Sequence, residues 1–158
     1  MNRLSHGRWQ ALGLGAAVVL LDQISKAWAE QTLPSGISRP LLPGLLDLQL
    51  VYNRGAAFSM LTEATTLLGL ISAGVAMAIV VWLWRQRELP LLQRCAAGLL
   101  LGGTLGNGLD RWRLGAVIDF LALTPIAFPV FNLADVAINL AVVCLVLMLF
   151  RPSRGHAV

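Results

Sequence analysis

Two aspartates, Asp119 and Asp135, are the residues of this chain best suited to hydrolytic chemistry. A continuous helix would hold them about 24 Å apart at about 1.5 Å per residue, but Pro125 and Pro129 force the chain to turn between them. Two carboxyl groups that meet share one proton, so one can accept a proton from water while the other protonates a leaving amine. The pair predicts an aspartyl peptidase. The spacing alone leaves a transport role for the same acids open.

Other catalytic arrangements find little support in the sequence. Both histidines, His6 and His156, lie in polar tails, and the two cysteines, Cys95 and Cys144, lie in apolar stretches without CxxC spacing. There is no HExxH motif and no Ser-His-Asp arrangement. We therefore predict no metal and no cofactor.

A Ser/Lys peptidase is the enzymatic alternative, with Ser25 or Ser59 as the nucleophile and Lys26 as the base. Adjacent positions of a helix do not face each other, so Ser25 and Lys26 are a poor pair.

The elements that must position these residues are hydrophobic. The 158 residues are 57% hydrophobic and only 13% charged, and their mean hydropathy of +0.73 indicates a membrane protein. Four stretches are long enough, or nearly so, to cross about 30 Å of hydrocarbon: residues 9–28, 65–84, 95–109 and 136–150. We predict an all-α membrane protein with one domain over residues 1–158, a bundle of four transmembrane helices whose first span is retained rather than cleaved.

Arginines at the ends of these stretches predict the orientation, because Lys and Arg stay on the cytoplasmic side. They precede the first stretch, separate the second from the third and follow the fourth, at positions 3, 8, 85, 87, 94, 151 and 154. Both termini are therefore predicted to be cytoplasmic, in the bacterial inner membrane. Anionic headgroups explain the net charge of +4 better than nucleic acid does.

This topology gathers polar residues on the outer side of the membrane. The cluster comprises Asp22, Lys26, Asn53, Arg54, Asn107, Asp110, Arg111, Asn132 and Asp135. Ionisable groups at membrane depth are costly, so such a cluster predicts a functional site. The i, i+4 spacing of Asp22 and Lys26 predicts a helical ion pair that supports this site.

Two further patterns concern packing. In the outer connection, residues 30–64, the alternation of Leu46, Leu48 and Leu50 with polar residues predicts a short strand within residues 45–52, in a small sheet on the membrane surface. The second outer connection, residues 110–134, is broken by Gly115, Pro125 and Pro129, so it cannot be one continuous helix, and Asp119 is expected on a turned loop. Glycines at 98, 102, 103 and 106 let helix backbones approach closely. They predict packing within a monomer, with homodimerisation as the alternative.

Five segments together resemble the lipoprotein signal peptidase family, also called signal peptidase II. They are LDQISK (21–26), YNRGAAFS (52–59), GNGLDR (106–111), VIDF (117–120) and FPVFNLADVAI (128–138). The resemblance implies an aspartyl protease of the bacterial inner membrane that removes the signal peptide from diacylglyceryl-modified prolipoproteins, just before the lipidated Cys. It also implies contact with membrane lipids and inhibition by the cyclic peptide globomycin.

The same resemblance implies roles for individual residues. Asp119 and Asp135 match the catalytic acids, while Asn53, Asn107, Arg111 and Asn132 match residues that line the site. Asp22 matches the acidic position of the first span, and Lys26 and Asp110 lie within the motifs. The small residues Gly55, Ala56 and Ala57 would either let substrate lie close to the backbone or simply pack tightly.

Overall fold

The structure is a computed structural model that describes residues 3–55 and 65–150. In chain order its elements are α1 (Arg3–Thr32), β1 (Arg39–Leu42), β2 (Leu46–Asn53), α2 (Thr65–Arg85), α3 (Leu91–Leu114), β3 (Val117–Leu123) and α4 (Leu133–Leu149). A mostly helical fold with a small antiparallel sheet is therefore confirmed, as is the strand predicted within residues 45–52.

Helix α3 lies at the centre and packs against α1, α2 and α4. Its glycines allow this because a side chain would have no room. A Cβ at Gly102 would lie 2.5 Å from the Val18 Cβ and 2.7 Å from the Gly15 carbonyl oxygen, and one at Gly103 would lie 2.6 Å from the Ala134 carbonyl oxygen. The prediction that these glycines pack within the molecule is confirmed.

The three strands form one sheet in the order β1-β2-β3, with both pairs antiparallel. In the pairing of β2 with β3, Val51 is opposite Asp119 and Asn53 is opposite Val117. Buried Leu50, Ile118 and Phe120 pack the sheet against the end of α1. The expectation that residues 110–134 are not one continuous helix is confirmed, because α3 ends at Leu114, but the placement of Asp119 on a loop is wrong, because it lies on β3. Strand pairing supplies the backbone hydrogen bonds that the short segment could not make alone.

Within the part of the chain that the structure describes, two helices are long and apolar enough to cross a membrane by length and composition, namely α1 over His6–Thr32 and α2. Helix α4 is apolar but has only 17 residues. Large apolar side chains are exposed along α2 and α4, including Leu70, Met77, Val143 and Leu147. A surface of this kind suits lipid rather than water.

At the end of the bundle away from the sheet, Arg8 ties α1 to α2. Its Nε donates to the Leu83 carbonyl at 3.2 Å, and its Nη2 donates to the carbonyls of Trp84 and Gln86, each at 3.3 Å. A cation at these carbonyls stabilises the last turn of a helix, whose carbonyl groups lack partners within the helix.

Candidate active site

Buried polar residues converge where α3 ends, α4 begins and the sheet covers α1. Among the described residues they include Asp22, Lys26, Asn107, Asp110, Asp119 and Asn132, each less than a tenth exposed. The structure thus brings together residues that the sequence places in four separate segments. Arg54 was predicted to join them, but its side chain is exposed.

Asp119 lies on β3, where its carboxylate is 2% exposed. Asn53 Nδ2 donates to one of its oxygens at 3.0 Å, and Asn132 Nδ2 donates to the other at 2.6 Å. Burial, followed by the negative charge of Asp135, raises the pKa of Asp119 to about 7, although the two amide donors and Lys26 oppose the shift. Asp119 therefore carries a proton in much of the population near neutral pH.

Asp135 lies in the first turn of α4 and forms a capping box with Asn132. The Asn132 backbone N–H donates to Asp135 Oδ2 at 3.1 Å, and the Asp135 N–H donates to Asn132 Oδ1 at 3.0 Å. Asn107 Nδ2 donates to the other carboxylate oxygen of Asp135 at 2.8 Å. Asn132 therefore donates to both carboxylates, to Asp119 through its side-chain amide and to Asp135 through its backbone N–H, and so links the two acids.

Lys26 lies behind this pair and is 1% exposed. Its ammonium group is 2.8 Å from Asp22 and 2.8 Å from Asp110, and it donates to Asn107 Oδ1 at 2.9 Å. The predicted i, i+4 ion pair is confirmed, and the structure adds Asp110 and Asn107 as partners.

Arg111 reaches across the mouth of the site. Its Nη1 donates to the Asn107 carbonyl at 3.3 Å, and its Nη2 donates to the Gly55 carbonyl at 3.5 Å. Within residues 3–55 and 65–150, its buried Nε has no hydrogen-bond partner. Gly55 is held in turn by its N–H, which donates to Asn53 Oδ1 at 2.9 Å. Arg111 therefore links the end of α3 to Gly55, just after β2.

These residues line a cavity of about 560 Å³. Its polar lining comprises Asn53, Asn107, Arg111, Asp119 and Asp135, whereas much of the remaining lining is apolar and includes Phe128, Phe131, Leu140 and Val143. Asn139 also lines the cavity, and its Nδ2 donates to the Asp135 carbonyl at 2.9 Å. The sequence analysis missed Asn139, although its position four residues after Asp135 places both on one face of a helix.

The serine alternative fits the geometry poorly. Ser25 Oγ donates to the carbonyl of Asp22 at 2.8 Å, within its own helix. Lys26 is occupied by two carboxylates and an amide oxygen. Ser59, Ala56 and Ala57 lie outside the described residues.

Comparison with known proteins connects this site to a family. The family model described as "Signal peptidase (SPase) II" matches residues 14–151. A "Lipoprotein signal peptidase" of Parasynechococcus marenigrum (strain WH8102) is 53% identical over 147 residues, which cover 92% of each chain. A protein of the same name from Synechococcus sp. (strain RCC307) is 52% identical over 145 residues, covering 91% of this chain and 96% of that one.

Two solved structures are also similar, and both are described as bacterial membrane enzymes determined by the in meso method. The first, at 2.3 Å resolution, has a TM-score of 0.82 and 29% identity and covers 88% of this chain and 86% of its own. The second, at 1.9 Å resolution, has a TM-score of 0.81 and 28% identity and covers 90% of this chain and 94% of its own.

Proposed function

The chain belongs to the signal peptidase II family, and from that premise we propose that Asp119 and Asp135 are the catalytic acids with which it cleaves its substrates. As a member of this bacterial membrane family, the protein removes signal peptides from prolipoproteins. The family favours a peptidase over the transport role that two acids alone would allow. The observation that carries the aspartyl mechanism is the single residue, Asn132, that hydrogen-bonds to both carboxylates.

In this mechanism one acid accepts a proton from the attacking water and the other donates a proton to the leaving nitrogen. Asp135 accepts a proton from water as the water oxygen attacks the carbonyl carbon of the scissile bond, and the Arg111 guanidinium donates to the developing oxyanion. Asp119 then donates its proton to the amide nitrogen, and the carbon–nitrogen bond breaks. The products are the signal peptide with a carboxyl end and the mature lipoprotein with a free amino group.

The substrate is a diacylglyceryl-modified precursor, cut just before its lipidated Cys. The apolar part of the cavity lining supports this proposal, because it includes Leu140 and Val143, whose side chains are also exposed at the surface of the bundle. Acyl chains and an apolar signal helix both reach such a site by lateral diffusion in the membrane. We also propose that the chain crosses the inner membrane four times, with both termini in the cytoplasm and the site at the outer face. The protein acts as a monomer.

We expect lipidated precursor to be cleaved by the purified protein in a gel-shift assay, and globomycin to block that cleavage. The same precursor without its diacylglyceryl group should be cleaved at least about tenfold more slowly. A tenfold change in rate corresponds to roughly 1.4 kcal/mol, and burial of the acyl chains contributes more than that. Equal rates with and without the lipid would contradict this substrate proposal and indicate a general signal peptidase.

The rate should also depend on pH in a specific direction. Because the pKa of Asp119 is about 7 in the folded protein, this acid keeps its proton below that pH and loses it above. We expect kcat/KM to fall about tenfold per pH unit on the alkaline side. Thermal unfolding measured at each pH serves as the control for loss of the fold, and a flat profile between about pH 7 and 9 would contradict Asp119 as the proton donor.

A further inference from the structure

Behind the two acids, the orientation of one amide decides whether the Oδ1 oxygen of Asp135 has a hydrogen-bond donor, since Oδ2 already accepts from the Asn132 N–H. Asn107 offers Nδ2 to Asp135 at 2.8 Å. Its Oδ1 accepts from Lys26 Nζ at 2.9 Å and from Asn132 Nδ2 at 3.0 Å. An amide turned by half a rotation would place its NH₂ group against an ammonium and a second NH₂ group, and would present its oxygen to a carboxylate. Only one orientation therefore satisfies all the neighbours.

Lys26 cannot release Asn107, because two carboxylates hold its ammonium group in place. Asp22 and Asp110 each lie 2.8 Å from Nζ. Each of them is also bound to an element that carries a catalytic acid: Asp22 accepts from the Ala134 N–H of α4 at 3.0 Å, and Asp110 accepts from the Ile118 N–H of β3 at 3.2 Å. The ammonium is thus fixed relative to both Asp119 and Asp135.

We propose that Lys26 is a positioning residue that locks the Asn107 amide with its N–H groups toward Asp135, so that Asp135 is held ready to accept the proton of the attacking water. This inference rests on the proposed aspartyl mechanism. Among the described residues, Lys26 makes no hydrogen bond or ion pair with either carboxylate of the pair; it acts on Asp135 through Asn107. Its contribution is therefore to turnover rather than to substrate binding.

A pair of charge-neutral variants separates this role from structural support. Asp22→Asn/Lys26→Met/Asp110→Asn and Asp22→Asn/Lys26→Gln/Asp110→Asn both remove all three buried charges and leave the bond from Asn132 Nδ2 to Asn107 Oδ1 in place, but only the second keeps a donor to that oxygen at position 26. We expect kcat of the Met variant to fall about 100-fold, as for a misplaced catalytic group, with KM changed less than about twofold. The Gln variant should be at least about tenfold faster than the Met variant.

Rates are normalised to the folded fraction measured by thermal unfolding in detergent. If the two variants turn over equally fast, or if KM rises while kcat is unchanged, the positioning role is wrong. Asn107→Leu provides a second test that leaves Lys26, Asp22 and Asp110 in place. Leucine is close to asparagine in size but cannot donate to Asp135, so we expect kcat lowered about 100-fold in the folded fraction. Wild-type turnover by Asn107→Leu would overturn the proposal.

The aspartyl mechanism is tested separately by Asp119→Asn and Asp135→Asn. If either of these variants cleaves normally, the proposed mechanism fails and the role of Lys26 fails with it. If both are inactive while the Met and Gln variants are equally active, only the inference about Lys26 fails.

Discussion

Asp119→Asn and Asp135→Asn are each expected to abolish cleavage of lipidated prolipoprotein, with kcat lowered by at least about 10³-fold, within the range found for loss of a positioned acid or base. Asparagine keeps the size of the side chain and one acceptor oxygen, but it can neither accept the proton of the attacking water nor give up a proton to the leaving amine. Single-turnover cleavage of lipidated precursor, followed by gel shift, measures the loss.

A matched control comes from an acid on the same sheet that lies outside the cavity. Asp47 on β2 accepts from Ser38 Oγ at 2.7 Å, and Asp47→Asn should cleave at close to the wild-type rate. Ser25→Ala should also retain turnover, because its hydroxyl serves only its own helix. Normal processing by either catalytic variant would exclude the aspartyl mechanism, and loss of activity in folded Ser25→Ala would revive the serine alternative.

The acids could be proposed from the sequence because their chemistry depends on residue type, and prolines between them required a turn. How they meet could not be predicted. Asp119 is placed by pairing of β3 with β2, which is a contact between distant segments, and the short VIDF segment gives little indication of it. Asp135 is placed by the local capping box with Asn132. One acid is therefore fixed by non-local pairing and the other by its own helix start.

The buried ion cluster of Asp22, Lys26 and Asp110 likewise combines a local contact that the sequence predicts with contacts between distant segments that it does not. The Asp22–Lys26 pair follows from i, i+4 spacing within one helix. The contacts of Lys26 with Asp110 and Asn107 depend on how closely α1 approaches α3. That approach depends on glycines whose spacing was visible in the sequence, but spacing alone does not say which helix lies against which face. The structure supplies the partners: α1 against Gly98 and Gly102, and α4 against Gly103.

Lys26→Met is expected to destabilise the fold by about 3–5 kcal/mol, because it leaves Asp22 and Asp110 buried without their shared cation. The loss should appear as a lower thermal unfolding temperature in detergent. Neutralising the acids as well, in Asp22→Asn/Lys26→Met/Asp110→Asn, should recover most of the stability, since replacement of a whole buried ion cluster is often close to neutral. We therefore expect this triple variant to be folded in detergent but to have a low kcat.

Arg8→Met is the matched control for this stability effect. Arg8 is also a cation that links two helices, but it bonds to backbone carbonyls at the far end of the bundle and leaves no buried carboxylate when removed. Its loss should cost about 1 kcal/mol or less and leave kcat unchanged. If Lys26→Met were as stable as Arg8→Met, the two aspartates would not depend on Lys26 for their burial. The ammonium could then not be the fixed point from which the amide of Asn107 is oriented.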